Sequence, residues 1–353
     1  VILYPRVEVE VRGADGGGFT TASPASATVV LQRNQAAEAE VQFPLVRSAA
    51  LGAVAVGADL KVALGNDVLG LVPLFAGTIT ELSPNMPLVI KGKDGGHQAL
   101  ANPYKKTYDG ADWAAIVTDA AARAGMTVKL SPSVLPATAP KKFRVDGQTP
   151  AQVLARACEA TGWVWQVLPA ANALWFGPRD EPPPGTAEKY YVFAFGALAP
   201  LGAPAAYPNV IKSSLTWKAT GRYKKVVCTL VDGGWEHPAA TGEFATPDFK
   251  EGDAVLKVGP FTAGLSGDAG KDRDNAKKRA YEEFLKAGAG GFEGSFDAFL
   301  NPFVIPGATI RLVDNDHPER AGYAVVAKNT FKFSPEGGGR MTVEVSSIAE
   351  GVA

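Results

Sequence analysis

Carboxylates and a histidine gather most densely in Val313-Asp314-Asn315-Asp316-His317-Pro318-Glu319-Arg320. Asp314, Asp316 and Glu319 beside His317 have the chemistry of a metal site or of an acid–base pair. The same residues also read as a polar hairpin tip, and that reading is preferred. Asp232-Gly233-Gly234-Trp235-Glu236-His237-Pro238 reads as a loop on the same grounds. Gly264–Gly270 is glycine-rich but has no Gly-Lys-Ser/Thr to cradle a phosphate, and no Gly-x-Ser-x-Gly elbow occurs. His97, His237 and His317 are scattered, without the Cys-x-x-Cys companion of a zinc site. Cys158 falls in a predicted helix and Cys228 in a predicted strand. Both are expected to be buried free thiols, with a bridge between them left open. No catalytic, cofactor-binding or metal-ligating residue is assigned, and the chain is expected not to be an enzyme.

Charge gives little more. Lys105-Lys106, Lys141-Lys142, Lys224-Lys225 and Lys277-Lys278 are dispersed pairs with acids nearby, and the net charge is -1. A solvated surface fits them better than a nucleic-acid coat. Trp163 and Trp165 alternate along a strand, so one is expected in the core and the other under a linker or at an interface. No apolar run is long enough for a membrane helix. Val1–Val11 alternates as a strand and has no basic start or long apolar run, so it does not read as a signal peptide.

The elements that would position these residues are mostly strands. With 353 residues, two to four domains are expected. The 39 glycines and 26 prolines fit many turns between short strands. Residues 1–92 predict a first β-barrel with strands at Val7–Val11, Ala27–Leu31, Glu38–Phe43, Leu60–Leu64, Leu74–Glu81 and Leu88–Gly92, and a flexible loop at Gly13–Gly18. Part of this program recurs. Gly57–Val62, Asn66-Asp67, Gly77–Thr80, Ser83-Pro84 and Leu88–Lys91 correspond to Gly307–Leu312, Asn315-Asp316, Gly322–Val325, Ser334-Pro335 and Met341–Val345. Such a duplication places related small barrels at both ends of the chain.

Residues 93–185 predict an α/β insert. Its first helix follows Asp109 or Asp112 as cap and ends at Gly125. Phe143–Gln148 is a strand. Thr149–Gly162 is a second helix with Thr149 as N-cap, Pro150 at the first helical position and Gln152 completing a capping box. Trp163–Leu168 and Ala173–Gly177 form a hairpin turning at Pro169–Asn172, and Asp180–Gly185 is a linker. Residues 186–290 predict further strands, Val210–Trp217 paired with Tyr223–Val231, and a helix at Asp272–Leu285. Ala287–Gly291 stops that helix. Residues 291–353 complete a second barrel. The fold class is mainly β, with two related small barrels and helix-containing inserts.

The order of strand, Thr149-Pro150-x-Gln152-x-Leu154, small-residue helix, Thr161-Gly162-Trp163-Val164-Trp165 and aromatic return strand resembles the late control gene D family of phage tail hubs. Phe75–Glu81, Leu88–Asp94 and Lys105–Gly110 carry the resemblance upstream. It extends to the hub part of type VI secretion spike proteins and to other contractile injection systems. The resemblance implies two related barrels plus an α/β insert. It further implies a structural baseplate protein of the virion tail, assembled in the bacterial host cytoplasm. The expected assembly is a homotrimer whose six barrels form a pseudo-sixfold ring between a hexameric tail tube and a trimeric central spike. The expected partners are a second and third copy, the spike, a tube or tube-initiator protein and other baseplate wedge proteins. DNA would be met only in transit through the channel during genome ejection. The chain ends soon after the second barrel, so the spike is expected to be a separate chain. Two rivals stand beside this expectation. One is a tail-tip carbohydrate- or receptor-binding module using Trp163, Trp165, Trp175 or Trp235, and the other is a cell-wall hydrolase.

Overall fold

A computed structural model describes residues 4–12, 19–44, 54–83, 87–133, 139, 141–168, 173–178, 181, 183, 191–195, 209–218, 224–231, 240–247, 249–262, 269–288, 291–314 and 322–349. The first seven strands are β1 (Pro5–Arg12), β2 (Phe19–Ala22), β3 (Ser26–Gln32), β4 (Glu38–Phe43), β5 (Asp59–Asn66), β6 (Gly70–Ser83) and β7 (Leu88–Asp94). The insert follows as α1 (Gly96–Leu100), β8 (Tyr104–Asp109), α2 (Trp113–Arg123), β9 (Thr127–Leu130), β10 (Lys142–Gln148), α3 (Pro150–Thr161), β11 (Val164–Leu168) and β12 (Ala173–Gly177). The remainder comprises β13 (Tyr191–Phe195), β14 (Val210–Ser213), β15 (Thr216–Lys218), β16 (Lys225–Val231), β17 (Ala240–Ala245), β18 (Val255–Thr262), α4 (Ala269–Gly288), β19 (Gly291–Phe299), β20 (Thr309–Asp314), β21 (Gly322–Ser334) and β22 (Gly338–Ala349).

Alternation explains the large sheet. In β4, Ala39, Val41 and Phe43 are buried while Glu38 points to solvent, and β3 and β20 alternate in the same way. One face of each strand therefore packs and the other stays wet. The strands run in the order β14-β19-β22-β21-β3-β4-β7-β6-β5-β1-β2, with β13, β15 and β20 alongside. The two halves share one core, in which Val29, Val41, Leu60 and Ile90 of the first meet Phe296, Phe331 and Val343 of the second. Each such side chain contributes about 1.5–3 kcal/mol on burial.

The insert has its own core around Trp113, Ile116, Phe143, Leu154, Trp163, Trp165 and Phe176. Asp112, not Asp109, caps α2, accepting the Ala115 N–H at 2.7 Å. The capping box of α3 forms as expected: Gln152 N–H donates to Thr149 Oγ1 at 3.3 Å, and Thr149 N–H donates to Gln152 Oε1 at 2.9 Å. Gly162 closes α3 in the left-handed conformation.

Three expectations are corrected. Trp163 and Trp165 do not divide between core and interface: residues two apart on a strand share a face, and both tryptophans, with Val167, turn into the insert core. Val210–Trp217 does not pair with Tyr223–Val231. β14 and β15 pair with β19, whereas β16 joins β17 and β18 in a separate sheet. Against that sheet packs α4, through Ala276 and Ala280 on Val226, Cys228 and Leu230. Cys158 is only half-buried as a residue, although its thiol is pushed up to about 12 by burial. Both cysteines are free. Gly13–Gly18, the Pro169–Asn172 turn and most of the Asp180–Gly185 linker lie outside the described residues.

Candidate assembly interface

Asp314 is buried at the end of β20, and Asp316, His317 and Glu319 lie outside the described residues, as do Asp232–Pro238 with His237 and Trp235. Gly264–Ser266 to Asp268 lie outside as well, and residues 269–270 begin α4. His97 is half-buried on α1. Among the described residues no group of three or more His, Cys, Asp or Glu side chains could hold a metal ion. Several lysines of the basic pairs are held by acids: Lys105 by Asp146 at 3.0 Å, Lys106 by Asp119 at 2.8 Å and Lys225 by Glu243 at 2.6 Å. Trp163, Trp165 and Trp175 are all buried, which removes three of the four aromatics a glycan would need. No helix among the described residues is long and apolar enough to cross a membrane.

What the strands do build is a repeated unit. Gly57 and Gly307 both have φ of 91°, a conformation that favours glycine. Gly57 N–H donates to Ile79 O at 2.8 Å, and Ile79 N–H returns to Ala58 O at 2.8 Å. In the other half Gly307 N–H donates to Val326 O at 2.7 Å, and Val326 N–H returns to Ala308 O at 3.0 Å. The next step is irregular in both: the pairing of β6 with β7 shifts between Ile79 and Glu81, and that of β21 with β22 between Val326 and Lys328. A bulge at the same place in each copy re-aims the rest of the strand. The units are thus β3-β4-β7-β6 with β5, and β14-β19-β22-β21 with β20, where β15 prolongs β14.

The match fixes residue equivalences. Ile79 corresponds to Val326, so Ser83 corresponds to Thr330. Val30 faces Glu38 in the first unit as Thr216 faces Glu293 in the second. The first and third strands of the duplication read from the sequence fall in this register, and the second lies two residues away from it. Its anchor, Gly77, is not a turn residue: a Cβ there would lie 2.2 Å from the Lys93 carbonyl oxygen.

The units join edge to edge. The far half of β21 pairs with β3, from Lys328 opposite Gln32 to Phe333 opposite Ala27. The equivalent half of β6 carries β7 on one side, and among the described residues no strand lies on the other. Among the described residues β14 and β15, the equivalents of β3, pair only with β19. On that edge Ile211 is 48% exposed. Among the described residues there are therefore one closed seam of this kind and two open edges that match it.

Polar anchors hold the insert against the first unit. Asn34, itself left-handed at φ 60°, donates its N–H to Trp165 O and accepts the Trp165 N–H on Oδ1, both at 2.9 Å. Arg33 lies over Trp175 at 5.3 Å and donates to Glu181 O at 2.8 Å. Asp94 is buried at the end of β7 and accepts the Gly96 N–H at 2.8 Å. Burial raises it to about 7, against the pull of backbone N–H groups. Asp119 behaves oppositely: burial would raise it, but hydrogen bonds from Lys106, Tyr108 and Arg123 outweigh that and hold it at about 2.

No family model and no curated protein matches the chain. Solved structures do. A tail protein from Neisseria meningitidis MC58 superposes with a TM-score of 0.63 at 15% identity, over 98% of this chain and 96% of that one. A 43 kDa tail protein of prophage MuSo2 from Shewanella oneidensis gives 0.64 at 10% identity, over 96% and 98%. An Escherichia coli component of the type VI secretion system, described as similar to the T4 tail proteins gp27 and gp5, gives 0.55 at 12% identity, over 97% and 77%. The fold is that of phage tail proteins and of this secretion-system component.

Proposed function

We propose that the chain is a structural tail or baseplate hub and not an enzyme. Three copies close into a ring, and each contributes two equivalent units, so that six similar units surround one channel. A threefold assembly with a pseudo-sixfold surface can seat a hexameric tube on one side and a trimeric spike on the other. Other baseplate proteins would dock around it, and DNA would meet it in transit. Its place would be a virion tail, or a related injection device, assembled in the bacterial cytoplasm.

One observation carries this reading. The β21–β3 seam is a finished junction between two units, and among the described residues one edge of each type is left without a partner strand. Repeating the seam between copies would set the far half of β6 against β14 and β15 of the next copy, with Ser83 opposite Thr216. Unpaired strand edges are costly to leave open and are natural docking elements. The likeness of the fold to tail proteins supports the setting.

The test is mass in solution by light scattering over a concentration series, alone and with the spike chain. A threefold mass, strengthened by the spike, is expected. A monomer at every concentration, unmoved by the spike, would overturn the reading.

A further inference from the structure

The face of the large sheet that stays wet carries a definite pattern of charge. It can be followed in rows, because directly paired residues on neighbouring strands share a face. One row runs Arg340, Lys332, Thr28, Glu40, Lys91, Glu81 across β22, β21, β3, β4, β7 and β6. The next runs Asp297, Thr342, Thr330, Val30, Glu38, Lys93. Beside them Lys328 faces Glu344. Basic and acidic members balance over these rows.

The balance is local as well as overall. Lys93 reaches Glu38 at 3.2 Å, Lys91 reaches Glu81 at 3.1 Å, and Asp297 accepts the Thr342 hydroxyl at 2.6 Å. The two ion pairs are about half exposed, and such pairs add about 0–1 kcal/mol to stability. Their main effect is on the field, since a lysine with a carboxylate at contact distance projects little potential beyond a Debye length of about 8 Å. The exception is Lys332 opposite Arg340. Here two cations face each other, whereas Lys328 faces a carboxylate; among the described residues neither Lys332 nor Arg340 has a salt bridge, and Arg340 lies over Phe299 at 4.6 Å.

The opposite face of these strands is filled by the shared core, over which β5 and β20 close. In a closed ring the covered face must lie outward, because the bulk it carries would fill the channel. The wet face is then the channel wall. We infer that this wall is charge-compensated, so that duplex DNA slides past it without being held, and that Lys332 with Arg340 is its one weak phosphate contact. This inference rests on the ring proposed above.

The physical ground is counterion release. A protein gains affinity for DNA when its cations replace ions condensed on phosphate. A lysine already paired with a wall carboxylate has no such gain to offer. Removing the carboxylates should therefore create binding.

The experiment measures binding of a labelled 30-base-pair DNA duplex by fluorescence anisotropy from about 50 to 200 mM salt, with the mass of each sample checked by light scattering. The parent is expected to bind weakly at about 150 mM salt, with a Kd near or above about 100 μM, the weak end of non-specific binding. Glu38→Gln with Glu40→Gln should tighten binding at least about tenfold and steepen its salt dependence. Lys332→Gln with Arg340→Gln should abolish what the parent retains. If a ring forms and the glutamine variants bind DNA no better than the parent, the wall assignment is wrong. Micromolar or tighter binding by the parent ring would overturn it too. If no ring forms, it is the proposed hub that fails.

Discussion

The two four-strand units differ in one respect that matters. In the first unit the edge strand β3 is continuous over seven residues and is covered by β21. In the second the equivalent edge is broken into β14 and β15, with Ser214 and Leu215 between them, and no described strand covers it. Ser214 bonds Ser295 through both its N–H (2.9 Å) and its hydroxyl (3.0 Å), and Gly294, at φ 124°, leaves room for the Ser214 carbonyl. An interrupted edge is a poor template for chance pairing. The covered seam contributes to folding, while the open edges are suited to assembly.

The sharpest way to break this comparison is to damage both kinds of junction and see which property each controls. Phe331 sits on β21 at the seam with no exposed surface, facing Val29. Phe331→Ala should cost about 3–5 kcal/mol of folding stability. Ile211→Ala on the open edge should change the stability of the isolated chain by less than about 0.5 kcal/mol and yet weaken self-association. Denaturant midpoints and mass, read on both variants, decide this. An edge change that unfolds the chain would mean the edge is not spare.

The paired glycines offer a finer comparison. Gly57→Ala meets nothing within 4 Å and should cost only its backbone strain, about 1–2 kcal/mol. Gly307→Ala has the same φ, but its new methyl would fall 1.6 Å from an Arg33 guanidinium nitrogen. It should cost roughly 1 kcal/mol more, because Arg33 must leave Glu181 or Trp175. Thermal unfolding of the two variants side by side measures the gap, and equal losses would show that Arg33 gives way freely.

The first unit also carries the insert directly after β7, and Asp94 marks the joint. Its pKa is raised from 3.8 to about 7, so the fold favours the neutral acid. The stability this represents is fully present below about pH 4 and is lost as pH rises through about 7. Chemical unfolding between pH 4 and 8 should show a decline on the order of 1 kcal/mol or more from this group. Asp94→Asn should remove that part of the slope. A variant with the parent's pH dependence would show that Asp94 ionises as it does in the unfolded chain.

Local pattern made much of this legible. Glu38–Phe43 alternates so cleanly that its bounds match the strand, and Thr149, Pro150, Gln152 and Gly162 mark both ends of α3. The duplication could be read because Gly57 and Gly307 serve the same backbone conformation. What could not be read is partner choice. Alternation shows which face of Val210–Ser213 is apolar, but not that its partner, β19, lies some 80 residues on. The second strand went astray because Gly77 is small to admit a carbonyl, whereas Gly322 begins a strand. Trp163 and Trp165 are two residues apart and share a face, so their own spacing already told against dividing them between core and interface. The assembly edge left no motif at all. It emerges only once β21 is seen paired with β3 and β6 is seen without the corresponding neighbour.

The most direct test of the ring is a cross-link across the junction that the seam predicts. Ser83→Cys and Thr216→Cys in one chain place the new thiols on opposite open edges, with each single variant as control. Mild oxidation should give a ladder ending at a covalent trimer in the double variant and monomers in the singles. Monomers throughout, at concentrations where light scattering reports a trimer, would show that the copies meet through some other surface.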